Sequence, residues 1–232
     1  MAFGRGNARE EAPVPVVEWA GVWQFTLGTV ERPVTKSRPR AVRGPRAIRV
    51  PRGAGRSQVF APCAYVGPGA PAAPPSAMEL CLYEDAEFRR LLCYLLEEDG
   101  QDGERRFQVC DGQGQSIGTI RRVPPTGKLF KHTWRINQPG HPEIAGRNQW
   151  SGHHVKRLAK RAADNIVPEV LNAVTGMGVD DTYGNASAKS RTLEWVSDGD
   201  VVMVSESIKL LTIKKDWLDR RLAFAFGVLG DR

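Results

Sequence analysis

The alternation of apolar and polar residues predicts a domain built mainly of antiparallel strands. Apolar positions alternate with polar ones over residues 105–111 and again over 116–122, and a Gly-rich turn at 111–114 separates the two stretches. This pattern is typical of a β-hairpin. Residues 91–98 form an apolar run that fits a buried strand or a helix, and the strand is favoured. Further strands are predicted at 131–137, 191–196, 201–205 and 207–214.

The end of the chain has a different pattern. Every residue from Leu222 to Leu229 is apolar. A helix that is apolar on all sides must be buried in protein or lie in lipid, and this segment is far shorter than the roughly 20 residues that cross a bilayer. We therefore predict a short terminal helix wrapped by the sheet.

A second helix is predicted at residues 153–175, where apolar residues recur every three or four positions and Pro168 introduces a kink or break. It is interpreted as an amphipathic insertion in the sheet domain. Four cations sit beside its apolar stripe: Lys156, Arg157, Lys160 and Arg161. Basic amphipathic helices lie on anionic membranes, so these residues are candidate lipid contacts. The alternative is that the stripe packs on the domain and the cations face water.

The excess positive charge is confined to the first third of the chain. Residues 1–77 hold 11 Lys and Arg against 4 Asp and Glu, whereas residues 78–232 hold 22 of each kind. Closely spaced Arg and Pro predict that residues 31–58 have no fixed structure, and residues 62–76 have the composition of a linker. A strand pattern within 16–30 is either isolated or contributes an early strand to the main sheet. We place the boundary of the folded domain, 78–232, after this basic, largely disordered region.

Several motifs in the second half of the chain form a recognisable set. They comprise Phe107, Val109, Asp111, Gly114, Ile117 to Ile120, Arg122, Trp134, Ile136, Asp219 to Ala225, and the segments 146–150 and 193–195. This set resembles the tubby C-terminal-like superfamily, which includes tubby, the phospholipid scramblases and the plant LURP-one-related proteins, and within it an uncharacterised bacterial subgroup. The resemblance implies an α+β, mainly antiparallel β fold: a closed or partly closed barrel of twelve strands around a buried hydrophobic C-terminal helix. About eight strands can be counted after Met78 and one or two before it.

Candidate chemistry is sparse. Arg220 and Arg221 open the terminal helix, where they either bind an anionic headgroup or cap the barrel by pairing with local acids. His153 and His154 diverge on a helix and lack partners for a metal shell. No nucleophile elbow is present. We predict neither a cofactor nor a metal, and we do not expect an enzyme.

The compartment and partners follow from composition. The four cysteines lie more than ten residues apart, which predicts free thiols, and neither a secretory signal nor a transmembrane run is present. We expect a cytoplasmic protein, peripheral to a membrane where it binds one. The first functional hypothesis is a non-enzymatic, scramblase-like or scaffold module that meets anionic phospholipid. The alternative is a nucleic-acid-associated protein that binds through residues 1–77.

Overall fold

The computed structural model describes residues 12–69, 80–100, 102–125, 133–148, 192–206 and 210–230. These residues form twelve antiparallel strands that close into one barrel, followed by an α-helix. The strands are β1 (Gln24–Arg32), β2 (Val42–Arg52), β3 (Val59–Gly67), β4 (Leu80–Tyr83), β5 (Leu91–Asp99), β6 (Arg105–Asp111), β7 (Ser116–Val123), β8 (Thr133–Asn137), β9 (Ile144–Asn148), β10 (Thr192–Ser197), β11 (Asp200–Glu206) and β12 (Leu210–Ile213), and the helix is α1 (Arg220–Gly230).

The barrel has two distinct ends. Each strand pairs with the next along the chain, and β1 closes the barrel by placing Gln24 opposite Thr212 of β12. Because all neighbours are antiparallel, successive connections alternate between the ends. We call the end at which α1 begins the helix-entry end; the β2–β3, β4–β5, β6–β7, β8–β9 and β10–β11 connections lie there. We call the opposite end, which carries the β1–β2 connection, the basic end.

The terminal helix is the core of the barrel, as predicted. Phe224 and Phe226 have no solvent exposure. The Phe224 ring meets Phe25 of β1 edge-to-face, with the ring centroids 4.8 Å apart, and the Phe226 ring meets Trp195 of β10 at 4.4 Å. Gly118 lets β7 approach α1 closely, because a Cβ there would lie 3.0 Å from the Leu222 side chain and 2.4 Å from the Asn137 carbonyl oxygen. The closed twelve-strand barrel with its helix is consistent with the architecture that the family resemblance implies.

The prediction that residues 31–58 lack fixed structure is wrong. The whole of β2 lies in this stretch, and β3 extends into the first part of the segment interpreted as a linker. Pro45 is tolerated because it lies where the register of β1 and β2 shifts, which relaxes the demand for regular ladder hydrogen bonds. The domain boundary at residue 78 is wrong for the same reason, since β1, β2 and β3 complete the barrel. The alternative that the segment 16–30 supplies an early strand is confirmed by β1.

Other elements agree with the pattern of the sequence. The stretch 91–98 is the strand β5, β6 and β7 form the predicted hairpin, and β10 to β12 follow the predicted strands near the end of the chain. The strands β4 and β9 were not predicted. The predicted insertion helix at 153–175 lies outside the described residues. No helix of the described ranges is long and apolar enough to span a membrane.

Candidate functional site

The β1–β2 connection is rich in cations and contains no acidic residue. Residues 33–43 contain four Lys and Arg and no Asp or Glu. We call residues 33–43 the basic loop. Three of its cations are exposed: Lys36, Arg40 and Arg43. A cluster of one sign with no carboxylate in the same segment creates a local positive potential that attracts anions.

Hydrogen bonds hold the basic loop in a defined turn. Thr35 and Arg38 form an antiparallel bridge, in which the Thr35 amide donates to the Arg38 carbonyl at 2.8 Å and the Arg38 amide donates back at 3.1 Å. The Arg38 amide also lies 3.0 Å from Thr35 Oγ1, which shares a hydrogen bond with Ser37 Oγ at 3.2 Å. The turn therefore displays Lys36 and Ser37 at its apex.

Two apolar side chains stand exposed among the cations of the basic loop. Val34 is 62% exposed and Val42 is 36% exposed. Both are among the few large hydrophobic residues that the described part of the barrel leaves in solvent. Apolar side chains flanked by cations suit the boundary between lipid headgroups and acyl chains, where the apolar group is buried and the charges face phosphate.

Arg220, a predicted headgroup contact, is committed to the protein interior. It is 7% exposed, and its Nε donates to the Val22 carbonyl at 3.1 Å. Its Nη1 donates to the Leu218 carbonyl at 2.7 Å and to the Asp216 carbonyl at 2.8 Å. The guanidinium also lies 4.5 Å from the centroid of the Trp23 ring. Burial lowers the pKa of Arg220. This geometry supports the alternative in which Arg220 closes the barrel.

Arg221 is paired with the residue that caps α1. Its Nε and Nη2 donate to the two carboxylate oxygens of Asp219 at 3.0 and 2.7 Å, and the Arg221 amide donates to Asp219 Oδ1 at 2.9 Å. The hydrogen bond with Asp219 raises the pKa of Arg221. The pair is neutral overall and lies at the helix-entry end, so the structure does not place Arg221 beside the basic loop.

The remaining predicted contacts lie outside the described residues. Lys156, Arg157, Lys160 and Arg161 belong to the connection between β9 and β10. Asn148 ends β9 and Thr192 begins β10, and both strand ends lie at the basic end of the barrel. The role of these four cations stays a prediction.

The thiols are poorly suited to nucleophilic chemistry. All four cysteines are free and buried. Burial raises the pKa of Cys63 to about 12 and also raises the pKa of Cys93, and a protonated thiol is a poor nucleophile. Across the described ranges, no three His, Cys, Asp or Glu side chains are grouped as a metal site would require.

The sequence pattern did not reveal the exposed valines or the ordered turn of the basic loop. The signal that could have found them is the alternation of Ile48 and Val50 with Arg49, which is typical of a strand and anchors the loop on a sheet. Comparison with known proteins adds no relative: the chain matches no protein-family model, no curated protein and no solved structure.

Proposed function

We propose that this protein is a non-enzymatic barrel module that associates peripherally with anionic phospholipid through its basic loop. The observation that carries the proposal is the exposure of Val34 and Val42 within a segment that is rich in cations and free of acids. Each Lys or Arg near an anionic surface contributes about 1 kcal/mol. Insertion of Val34 and Val42 between lipid headgroups would add a hydrophobic contribution to binding. The phosphate backbone of a nucleic acid offers no comparable apolar layer.

The barrel itself supports a binding role over an enzymatic one. The side chains of α1 fill its interior, with Leu222, Phe224 and Phe226 fully buried.

The four cations of the β9–β10 connection form a second part of the proposal, since both flanking strand ends lie at the basic end. They would extend the positive surface that the basic loop begins.

Nucleic acid is the alternative partner. The positive charge of the basic loop would favour phosphate of any origin. Binders of single strands also stack bases on exposed aromatic rings, and the basic loop contains none. Trp23 is 47% exposed but lies beside Arg220 at the helix-entry end. The aromatic residues therefore favour the lipid surface.

Co-sedimentation of the full chain tests the proposal. The probes are vesicles of phosphatidylcholine, vesicles that also contain phosphatidylserine, and a DNA duplex. We expect binding to the phosphatidylserine vesicles that weakens as salt rises, because surface charges act over about 10 Å at 0.1 M salt and about 3 Å at 1 M. Equal binding to both vesicle types, or tighter binding to DNA than to phosphatidylserine, would overturn it.

A further inference from the structure

A cleft opens at the helix-entry end, on the opposite side of the barrel from the basic loop. It is a shallow depression of about 300 Å³ that is open to solvent, and its lining includes Trp19, Trp217, Asp216, Asp219 and Arg220. This volume is at the lower end of the range for small-molecule sites. The cleft is a separate feature from the lipid contact proposed above, and it shares no residue with the basic loop.

The Trp217 wall of the cleft is held in place by neighbouring residues. The His141 ring stacks on the Trp217 ring with their centroids 4.4 Å apart and their planes 9° from parallel. Gln138 holds the backbone on either side of the cleft, because its Nε2 donates to the Trp217 carbonyl at 2.8 Å and its Oε1 accepts from the Asp219 amide at 2.9 Å. The aromatic wall is therefore organised before any ligand arrives.

Trp19 forms the other wall. Its Nε1 donates to Glu84 Oε1 at 3.2 Å, and the Arg221 guanidinium lies 5.5 Å from the ring centroid. The preceding chain is tied to β3 by the Val17 amide, which donates to the Pro62 carbonyl at 2.8 Å. These contacts fix Trp19 against the barrel wall and leave it half-buried.

The charged side chains of the cleft differ in what they can still bind. Asp219 uses both carboxylate oxygens on Arg221, and Arg220 donates to four backbone carbonyls of the surrounding chain. Asp216 is exposed, and within the described ranges no hydrogen bond or ion pair reaches its carboxylate. Arg220 donates to the Asp216 backbone carbonyl and acts on the Asp216 carboxylate only through its charge. The available polar group is therefore an anionic acceptor.

From this arrangement we propose that the cleft binds an alkylammonium group, either a free amine or the side chain of a lysine on a partner protein. The ammonium donates to the Asp216 carboxylate, and a charge-assisted hydrogen bond of this type is stronger than a neutral one. The alkyl chain lies against Trp19 and Trp217, whose ring faces attract cations. Anionic ligands are disfavoured because the Asp216 carboxylate repels them, and because Arg220 is buried and uses its Nε and Nη1 on backbone carbonyls.

The test titrates the full chain with n-butylammonium and with n-butanol, its neutral analogue, and follows the indole Nε1–H resonances by NMR. We expect saturable shifts of the Trp19 and Trp217 signals with n-butylammonium, and binding of n-butanol at least about tenfold weaker, as loss of one charged hydrogen bond implies. Equal affinity for both probes would overturn the proposal.

Two variants sharpen the test. Asp216→Asn should weaken n-butylammonium binding about tenfold. Asp200→Asn is the matched control, because this exposed carboxylate at the same end is paired with Lys215 at 2.6 Å, and it should leave the affinity unchanged. An unchanged affinity in Asp216→Asn contradicts the proposal. Parallel titrations with blocked lysine (N-acetyl-lysine methylamide) and a lysine-containing peptide separate the two sources: tighter binding of the peptide indicates a protein partner, and equal binding indicates a free amine.

Discussion

The buried guanidinium of Arg49 and the partly exposed carboxylate of Glu31 form an ion pair that joins the first two strands. Both Nη atoms of Arg49 lie 3.4 Å from Glu31 Oε1, and Arg49 has no solvent exposure. Arg49 also donates to the carbonyls of Gly28, Pro45 and Phe60 at 2.7 to 3.1 Å. One side chain thus satisfies carbonyls of β1, β2 and β3 where bulges disturb the regular pairing.

We predict that Arg49→Ala lowers the free energy of unfolding by about 3–5 kcal/mol, because breaking a buried pair strands its partner and here also removes the donor for three carbonyls. Glu31→Gln should cost about 1–3 kcal/mol, since the carbonyl contacts of Arg49 remain. Urea unfolding followed by tryptophan fluorescence measures both. Arg43→Ala on the same strand is the exposed control and should change little; a loss as large as that of Arg49→Ala would contradict this account.

The helix inside the barrel gives a second prediction. Phe224→Ala should lower the free energy of unfolding by about 3–5 kcal/mol, because truncation of a fully buried ring leaves a cavity. The Phe224 ring packs against Phe25, so its truncation also removes a contact between α1 and β1. Val34→Ala on the basic loop serves as the control and should stay within about 0.5 kcal/mol. A loss below about 1 kcal/mol for Phe224→Ala would show that α1 is not the core.

Removal of the first three strands should prevent folding. A chain that begins at Met78 lacks β1, β2 and β3, which leaves β4 and β12 as unpaired edges and exposes α1. We expect no cooperative thermal transition in its near-ultraviolet circular dichroism. A chain that begins at Ala12 keeps all twelve strands and should unfold at the temperature of the full chain. A cooperative transition in the shorter fragment would restore the boundary at residue 78.

Elements with a local hydrophobic pattern could be predicted from the sequence, whereas elements held by long-range contacts could not. The terminal helix and the β6–β7 hairpin were predictable because burial imposes a local periodicity that single residues display. The strand β2 was missed because Arg and Pro suggest disorder when they are considered alone. Arg49 shows why that inference fails. Its charge is balanced by Glu31, and its N–H groups donate to carbonyls of three strands. No local sequence pattern encodes these contacts.

The candidate sites were less predictable than the fold. Arg220 and Arg221 stand at a helix start, where an anion site is a reasonable expectation. Only tertiary structure shows that Arg220 donates to the Val22 carbonyl, almost two hundred residues away in the chain. The cleft beside them has the same origin, because Trp19 and Trp217 come together only when the barrel closes.

A pH dependence is expected from the acid that links β7 and β8. Burial works against ionisation of Glu143, but hydrogen bonding to Arg135 and the charges of Arg135 and Arg121 outweigh it and lower the pKa of Glu143. A carboxylate with a lowered folded-state pKa stabilises the fold above its unfolded pKa of about 4.3, and this contribution is lost as the pH falls through the folded pKa.

Glu143→Gln should therefore be less stable than the wild type at neutral pH, and the difference should shrink as the pH falls below about 4. Thermal unfolding over a series of buffers measures it. Glu87→Gln is the control, since the Glu87 side chain is 63% exposed and pairs with Arg89 at the surface. A difference between wild type and Glu143→Gln that does not vary with pH would contradict this role of the ion pairs.

The most direct measurement of the lipid proposal compares two charge-matched variants in phosphatidylserine vesicle binding. One variant replaces three exposed cations of the basic loop by glutamine: Lys36, Arg40 and Arg43. The other removes the same formal charge at the helix-entry end: Arg56, Arg89 and Arg90. We predict that the first variant loses at least about tenfold in vesicle affinity, since each cation near the surface contributes about 1 kcal/mol, whereas the second stays close to wild type. Equal losses in both variants, or no loss in the first, would contradict the assignment of the basic loop as the membrane contact.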